Sequence, residues 1–420
     1  MRCLVGIDDT DSSRGYCTTY LAYRIATDLG SEVQVLPYPR LVRLNPNIPF
    51  KTRGNAAVCL QLETQDPDLA FKAICEKVSE FSDVEGGANS GVVFLADVSK
   101  ARRFEQLYLD ALCGVVSPHR VRRLVKEVGA TSMELGNGMG LVGAASSLGF
   151  DERFDHTYEL IAYRTTDRWG TRRGIDSSSV TAMDSSTFPH TFNNYDYQKR
   201  KVLIAPHGPD PVFAGVRGDD PRSVLSAFAM LRYDEPLAGH MIYVSNQHTD
   251  AHLQRRLAWK VYSSGWLEGV VAGVNTGPGG HVYLSMETGG KNRAAAAYEP
   301  TGDLRRMTKL LAPGFRVRAY GGVRRATSLH PAVLNMEKFE LLSKDSKLSP
   351  LKKGTYISSP RSNRHLTKPL IRYGQEAHGS PRKVNGWLKP APARQPASAS
   401  SPRREAIFLE GQTAPPSVTS

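Results

Sequence analysis

The chain has 420 residues, with 54 Lys or Arg against 41 Asp or Glu and a formal net charge of +13. This length predicts two to four domains, and no run of about 18 apolar residues is present to span a membrane. The first apolar segment meets Asp8 and Asp9 after a few residues, too soon for a signal-peptide core. We therefore expect a soluble, cytoplasmic protein with no membrane partner.

The positive charge is concentrated towards the carboxyl terminus. Residues 341–420 contain 14 Lys or Arg and 4 Asp or Glu, so this tail carries +10 of the net +13. Such a tail attracts a polyanion, and its Pro-, Ser- and Arg-rich composition predicts disorder over most of residues 344–420. The five cysteines all lie in the first 113 residues without CxxC spacing, which favours buried thiols in a reducing compartment.

The first 150 residues alternate between strand-like and helix-like patterns. We predict strands over residues 3–7, 33–36 and 57–62. We predict helices over residues 18–29, 68–81 and 100–112, and a further helix that begins at Ser117-Pro118, a typical N-cap and N1 pair. This alternation indicates an α/β or α+β domain over residues 1–150.

Two smaller domains are predicted after residue 150. Residues 151–262 combine polar loops with strand patterns at 158–163, 201–204 and 212–216, which indicates an α+β domain. Residues 263–343 contain strand patterns at 269–274, 281–286, 294–298 and 315–320, with one helix over 302–311. Short strands with a helix before the last one predict an OB-type barrel. Tyr283 and Tyr298 on these strands either stack on bases or pack in the core.

An acidic turn after the first strand is the strongest local signal. It reads Asp8-Asp9-Thr10-Asp11, and three carboxylates so close together repel one another. Magnesium prefers oxygen ligands and is often bound together with phosphates. A solvated turn is the alternative, but the carboxyl end of a strand is where α/β domains place their active sites. We therefore predict a magnesium site at Asp8, Asp9 and Asp11.

Two segments are predicted to contact phosphate. Gly15, Thr18 and Thr19 lie at the start of a helix, where free N–H groups and the dipole attract anions. A helix cap is the alternative role for a threonine there. A second, glycine-rich segment leads into a helix of small residues, and close packing explains its pattern as well as a phosphate loop does. Its three alternating glycines are Gly136, Gly138 and Gly140.

A basic segment over residues 40–55 is predicted to contact phosphate or bases. It combines two prolines with four cations and three asparagines before a strand, and a merely solvated loop does not need so stiff a backbone. The cations are Arg40, Arg43, Lys51 and Arg53, and the asparagines are Asn45, Asn47 and Asn55. Among these we predict substrate contacts from Arg43, Asn45, Lys51 and Arg53.

Seven motifs in order give the chain a family resemblance. They are GIDDTDSSRGYCTTYL, RLVRLNPNIPFKTRGNAA, FDHTYELIAYR, APHGPDPVFAGVRG, NQHTDAHL, GGHVY and YGGVRR. Through about residue 343 the chain resembles the archaeal tRNA(Ile) 2-agmatinylcytidine synthetase (TiaS) family. The resemblance implies an ATP-dependent ligase that joins agmatine to the wobble cytidine of the CAU anticodon of an isoleucine tRNA. In that family the cytidine C2 oxygen is phosphorylated first, and the amine of agmatine then displaces phosphate.

The resemblance also implies a domain order and residue roles. The family has a kinase-like domain, a ferredoxin-like domain, an OB domain and a zinc ribbon. Asp8, Asp9 and Asp11 match its magnesium and ATP carboxylates, and Thr18 matches the threonine that is phosphorylated. A metal-bridging triad beside a helix N-terminus also suits phosphoryl transfer on physical grounds.

The chain departs from the family at its carboxyl end. A zinc ribbon needs two pairs of cysteines, and no cysteine follows Cys113. The segment GTYI…RHLTKPLIR, which includes Arg364, His365 and Lys368, nevertheless resembles the family sequence after the ribbon. We therefore predict that the ribbon is deleted, that no zinc is bound, and that the barrel and the tail bind the tRNA.

Three alternatives stay open at the level of sequence. Asp210, in a turn before a proline, is a candidate for the guanidinium of agmatine, because a carboxylate accepts a guanidinium through two parallel bonds. His248, Asp250 and His252 form either a metal site or, as we favour, a loop that joins domains. The rival class is a non-catalytic RNA-binding protein with a regulatory nucleotide site, and an enzyme of the same architecture that uses another amine also fits.

Overall fold

The computed structural model describes residues 1–11, 17–29, 33–51, 54–197, 200–209, 211–327 and 331–343, with the backbone of 356–358. Within these residues the strands form a ten-stranded sheet, a six-stranded sheet and a two-stranded ribbon. No helix in the described ranges combines the length and apolar character that a bilayer crossing requires. The cytoplasmic location stays a prediction, and the predicted disorder of residues 344–420 falls almost entirely outside the described residues.

The first third of the chain forms one half of the large sheet. Its strands are β1 (Arg2–Asp8), β2 (Gln34–Val35), β3 (Arg40–Arg43), β4 (Ala56–Glu63), β5 (Gly91–Leu95) and β6 (Thr131–Glu134). Its helices are α1 (Thr18–Asp28), α2 (Pro67–Glu80), α3 (Glu105–Cys113), α4 (Pro118–Val128) and α5 (Gly140–Leu148). Asp66 and Ser117 cap α2 and α4. β1 is central and apolar because α1 and α2 cover one face and α3 and α5 cover the other.

The next hundred residues extend the same sheet. They form β7 (Thr157–Arg164), β8 (Thr191–Phe192), β9 (Tyr195–Asp196), β10 (Lys201–Val202), β11 (Val212–Gly218) and β12 (Leu237–Ser245), with α6 (Ser177–Thr187) and α7 (Pro221–Ala229). The strand order is β6-β5-β1-β4-β3-β12-β7-β11-β8, with β2 beside β4 and β9 paired to β10 outside the sheet. A parallel pairing of β3 with β12 joins the two halves. The predicted boundary near residue 150 is therefore crossed by a continuous sheet.

The last described region is a closed barrel. Its elements are β13 (Ser264–Thr276), β14 (Val282–Thr288), β15 (Lys291–Ala297), α8 (Asp303–Thr308), β16 (Arg316–Arg324), β17 (Val333–Ser343) and β18 (Tyr356–Ser358). Parallel pairing of β15 with β17 closes five strands around an apolar core. Tyr283 alternates with the buried Val282 and Leu284, so it faces outward and not into this core. Tyr298 is also partly exposed, with its ring against that of His281.

Two sequence predictions of local structure were wrong in part. The predicted helix over residues 100–112 is a 3-10 segment, Val98–Phe104, followed by α3. The first four residues of the predicted basic loop form β3, with Leu41 and Val42 buried on opposite faces. The sequence RLVR does not predict a strand, because its apolar centre is only two residues long and is flanked by arginines. Placement between β4 and β12 supplies the hydrogen bonds that the sequence alone does not reveal.

Candidate active site

Two carboxylates mark the carboxyl end of the central strand β1. Asp8 is the last strand residue, and its side chain lies against the first turn of α5, where a Cβ at Gly143 would come within 1.8 Å of Asp8 Oδ2. Asp9 follows in the left-handed region, at φ 58°, and the Ser90 hydroxyl donates to its carbonyl oxygen at 3.0 Å. Both side chains are only partly exposed. The strand therefore delivers two adjacent carboxylates to a confined position.

The electrostatic setting opposes negative charge at this position. Burial raises the pKa of Asp8 well above its usual value, and the neighbouring Asp9 and Asp11 raise it further. Burial and Asp11 raise the pKa of Asp9, although hydrogen bonds from Asn89 oppose the rise. An opposite charge beside a carboxylate favours its ionised form. A bound cation would therefore offset the burial of these carboxylates and the repulsion between them, and would favour their ionised forms.

The third aspartate of the motif faces a different cavity. Asp8 and Asp9 line a small cavity of about 60 Å³ together with Lys51. Asp11, with Thr18, lines a larger cavity of about 250 Å³. Residues 55 and 56 line both, so the two cavities adjoin across the end of β1. The predicted triad is thus divided between neighbouring spaces.

Because Asp11 faces a different cavity, only Asp8 and Asp9 lie together at the predicted magnesium site. Among the described residues, no group of three Asp, Glu, His or Cys side chains is arranged to hold a metal ion. Magnesium is commonly bound by one or two carboxylates, with substrate phosphates and water supplying the other oxygens. The oxygen donors of Asp8 and Asp9 fit that pattern without a third protein ligand.

The amino end of α1 meets the larger cavity. Cys17 is the N-cap residue and its side chain caps no backbone N–H, and no acidic residue lies in the first turn. Thr18 is buried, with Oγ1 3.0 Å from Thr10 Oγ1, and Thr19 also lines the cavity. Neither threonine is the cap residue, so the structure does not support the alternative in which a threonine caps the helix. Gly15 lies outside the described residues.

The glycine-rich segment contacts the acidic end of β1 through Asn89. Gly136 and Gly138 have positive φ angles of 66° and 76°. The N–H of Asn137 donates to Asn89 Oδ1 at 3.0 Å, and the same asparagine hydrogen-bonds Asp9. A Cβ at Gly140 would lie 2.3 Å from the Asn89 carbonyl oxygen. Close packing of α5 on the sheet thus accounts for Gly140, whereas an ATP contact from this segment stays a prediction.

A buried glutamate that sequence reasoning missed lies in the larger cavity. Glu159 on β7 is 3% exposed. Its Oε1 is 2.9 Å from Arg217 Nη2, and its Oε2 is 3.9 Å from Arg43 Nη2 but accepts no hydrogen bond from the described residues. The available signal was a glutamate inside the apolar run YELIAY, because a charge in a buried strand needs a partner. The cavity therefore holds two carboxylates, Asp11 and Glu159.

The predicted substrate residues of the basic segment separate in the structure. Arg43 lines the larger cavity and donates from Nε to Gln247 Oε1 at 2.9 Å. Lys51 lines the smaller cavity beside Asp8 and Asp9. Arg53 and the candidate Asp210 lie outside the described residues. Substrate contacts from these four residues stay predictions.

Asn45 has a structural environment that the sequence did not suggest. It is fully buried, and its Nδ2 donates to the carbonyl oxygens of Gly114 and Tyr262 at 3.2 and 2.7 Å. Its Oδ1 accepts from Asn47 N–H and Ser264 Oγ. The amide therefore joins the large sheet to the barrel, and its predicted contact with substrate has no support from this geometry.

The NQHTDAH segment also joins the barrel. His252 Nε2 lies 3.2 Å from Glu337 Oε2, and Asp250 pairs with the buried Lys338. Both partners are on β17. The structure therefore favours the joining loop over the alternative of a metal site.

Comparisons with known proteins agree with this architecture. Family models of the TiaS TCKD domain and the TiaS FLD domain match residues 4–137 and 138–252. The isoleucine tRNA 2-agmatinylcytidine synthetase TiaS of Cenarchaeum symbiosum is 41% identical over 344 residues, covering 80% of this chain and 76% of that protein.

Solved structures of TiaS complexes are similar over most of the chain. A complex with its isoleucine tRNA and ATP has a TM-score of 0.79 at 32% identity, covering 89% of this chain and 97% of that one. A complex with the same tRNA, AMPCPP and agmatine has a TM-score of 0.78 at 31% identity, with the same coverage of both chains. The chain belongs to the TiaS family of isoleucine tRNA 2-agmatinylcytidine synthetases.

Proposed function

We propose that this protein is an ATP-dependent ligase that conjugates agmatine to a cytidine of an isoleucine tRNA. The relatives that cover most of the chain carry this activity in their names, and similar structures hold that tRNA, a nucleotide and agmatine. The observation in this chain that carries the proposal is the adjacency of the two cavities at the end of β1. One presents the half-buried carboxylates of Asp8 and Asp9 for a nucleotide and its cation, and the other presents carboxylates for a cationic amine.

ATP and magnesium are assigned to the smaller cavity and its surroundings. Asp8 and Asp9 hold the metal there, while Lys51 faces the phosphates. Bound magnesium neutralises charge on the transferred phosphoryl group. The N–H groups at the start of α1, which the Cys17 side chain does not cap, lie on the other side of the same strand end together with Thr18, and they attract phosphate.

The reaction sequence is proposed to pass through a phosphorylated cytidine. The C2 oxygen of the cytosine takes a phosphoryl group from ATP, which makes that oxygen a better leaving group. The neutral primary amine of agmatine then attacks C2, the C2–O bond breaks, and phosphate departs with the oxygen. A carboxylate beside the amine accepts the proton that the new C–N bond displaces, and Asp11 in the larger cavity is our candidate for this role.

Agmatine is assigned to the larger cavity between β7, β11 and α1. Its guanidinium pairs with Glu159, whose buried Oε2 lacks a hydrogen bond within the described chain. A charge-assisted bond to that oxygen replaces the water it lost on folding. Asp210, in the segment before β11, remains a second candidate partner.

The remaining architecture is assigned to the tRNA. We interpret the first half of the large sheet as the kinase-like domain, the second half as the ferredoxin-like domain, and the closed barrel as an OB domain. The outward-facing Tyr283 is our candidate for stacking on a base. The basic tail adds non-specific attraction to phosphate.

Mass analysis of the tRNA tests the whole assignment. Purified isoleucine tRNA with a CAU anticodon is incubated with the enzyme, ATP, magnesium and agmatine, and anticodon fragments are analysed. The expected product is a cytidine whose mass has increased by agmatine minus water. A matched reaction with 1,4-diaminobutane, which lacks the guanidinium, should give little product because Glu159 has no guanidinium partner. Unmodified tRNA that stays bound to the protein would instead support the non-catalytic alternative.

A further inference from the structure

A second ligand-sized cavity lies at the opposite end of β1 from Asp8 and Asp9. It has a volume of about 340 Å³ and forms between the start of β1, the start of β3 and the carboxyl end of α5. Because β1 is seven residues long, the two ends are about 20 Å apart. None of the residues assigned to ATP or agmatine lines this cavity.

The charge of the cavity is predominantly positive. The charged groups that line it are Arg2, Arg40, Arg102, Arg153 and Asp151. Asp151 is occupied by Arg153, whose Nε donates to it at 2.7 Å, and Arg2 donates to Glu63 at 2.7 Å. Within the described part of the chain, no carboxylate pairs with Arg40 or Arg102. Two positive charges therefore remain for a ligand.

Among these groups, Arg40 has buried guanidinium nitrogens that the described protein does not satisfy. Its Nε and Nη1 are buried and have no oxygen acceptor among the described residues. Burial is the larger effect on the Cys59 thiol and raises its pKa to about 11, although a hydrogen bond with the Arg40 guanidinium lowers that pKa, so the sulfur supplies no negative charge near neutral pH. Buried charges without a partner oppose folding unless something compensates them. The described residues provide no anion for this purpose.

A structural role for Arg40 is the competing explanation. The carboxyl end of α5 reaches the cavity through Leu148 and Gly149, and a cation near a helix carboxyl end interacts favourably with the helix dipole. That interaction does not account for Arg102, which is exposed and lies on a different segment. It also leaves the two Arg40 nitrogens without an oxygen acceptor in the described structure.

We propose that this cavity is a phosphate-binding site in which Arg40 and Arg102 contact the anion. A guanidinium matches phosphate oxygens through paired N–H donors, and this geometry is why arginine is common at such sites. The phosphate comes either from the backbone of a bound RNA or from a free phosphate compound. The site does not depend on the proposed ligase reaction, because none of its residues belongs to the reacting centre.

Thermal unfolding in phosphate, compared with chloride at equal ionic strength, tests the site. A saturating non-hydrolysable ATP analogue is present throughout, so that the nucleotide site is already filled. Wild-type protein should show a saturable rise in Tm with phosphate. Arg40→Met and Arg102→Met should lose most of that rise. Arg103→Met is the matched control, since Arg103 is an exposed neighbour that does not line the cavity.

Three results would overturn the proposal. The first is a wild-type Tm that responds equally to phosphate and chloride. The second is an unchanged phosphate response in Arg102→Met, a variant expected to fold because the side chain is exposed. The third concerns Arg40. If Arg40→Met is less stable in chloride while its phosphate response is intact, the arginine serves the fold through α5 and the site is rejected.

Binding of tRNA distinguishes the two sources of phosphate. If the ligand is RNA backbone, Arg102→Met should weaken tRNA binding more than Arg103→Met does, and phosphate should compete with tRNA. If the ligand is a free phosphate compound, Arg102→Met should lose the phosphate response but bind tRNA like the control. Neither measurement uses turnover, so this site and the ligase assignment fail independently.

Discussion

The two ends of β1 carry opposite charge, and at both ends side chains of one sign lie together without a compensating partner in the described chain. At the carboxyl end, Asp8 and Asp9 lie side by side with raised pKa values. At the amino end, Arg40 and Arg102 line a cavity without a carboxylate partner in the described chain. A packed interior usually pairs its charges. We interpret both clusters as positions that favour a ligand of the opposite charge.

In the larger cavity, which adjoins the acidic end of β1, positive and negative side chains largely compensate one another. Glu159 there already contacts Arg217 and lies near Arg43, so only one of its oxygens is left unbonded within the described chain. The two ends of β1 and the larger cavity therefore differ in how much charge is left unpaired, and not only in how deeply that charge is buried. We expect the effects of substitution to follow that difference in unpaired charge.

The largest effect is expected at the acidic end. Asp8→Asn or Asp9→Asn should lower ATP consumption by about a hundredfold or more, because each removes a negative charge that holds the metal, and the metal neutralises the phosphates. The fold and the affinity for tRNA should stay close to wild type. ATP turnover at limiting magnesium is the measurement, and Asp68→Asn on the exposed face of α2 is the control. Near-normal turnover in either variant would contradict the metal assignment.

The next largest effect is expected for the balanced cavity. Glu159→Gln keeps the shape but removes the charge, so the KM for agmatine should rise about tenfold to a hundredfold, the range for a hydrogen bond to a charged group. The KM for ATP should not change. Asp210→Asn is the parallel variant, and it should show the same selectivity if that carboxylate also contacts the guanidinium. Equal changes in both KM values would argue against an agmatine site here.

A smaller effect with a defined sign is expected for stability at the acidic end. Burial raises the pKa of Asp8 in the folded state, so its contribution to stability is fully present below the pKa of the unfolded chain. That contribution is lost as pH rises through the folded pKa. Without metal, Asp8→Asn should therefore be more stable than wild type at pH 8.

The same variant provides its own pH control. At pH values below the pKa of the unfolded chain the wild-type carboxyl is protonated in both the folded and the unfolded states, so the charge-dependent difference in the free energy of unfolding between the two proteins should vanish. Magnesium with an ATP analogue should stabilise the wild type more than Asp8→Asn. Denaturant unfolding across pH in the presence of a chelator is the measurement. A difference that does not depend on pH would show that charge at Asp8 is not its cause.

The smallest effect is expected for the tail, because its predicted attraction to RNA is long-range and non-specific. A truncation that removes residues 374–420 takes away six Lys or Arg and three Glu. The slope of log affinity for tRNA against log salt should fall by roughly 0.7–0.9 for each phosphate that the truncated protein no longer neutralises. A longer truncation from residue 352 should also lower activity, because it removes the family-like segment with Arg364, His365 and Lys368. Identical slopes for all three proteins would show that the tail does not bind RNA.

The sequence was sufficient for the acidic end of β1. An apolar run followed by Asp8-Asp9 predicts a buried strand that ends in carboxylates, and the ordered motifs identified the family. It also predicted most strands of the barrel, because each is a short alternating segment bounded by turn residues. These features are local in the chain, so a short window of sequence contains the information.

What the sequence did not determine depends on contacts between distant residues. The pairing of β3 with β12 places Arg43 near Glu159, although the two are far apart in the chain. The same sheet sends Arg40 and Arg43 to different cavities, although both belong to one basic motif. Asn45 looked like a substrate contact because a buried junction cannot be distinguished from a binding loop by composition. Only the tertiary structure decided which polar residues join domains, which charges are paired, and which remain for a ligand.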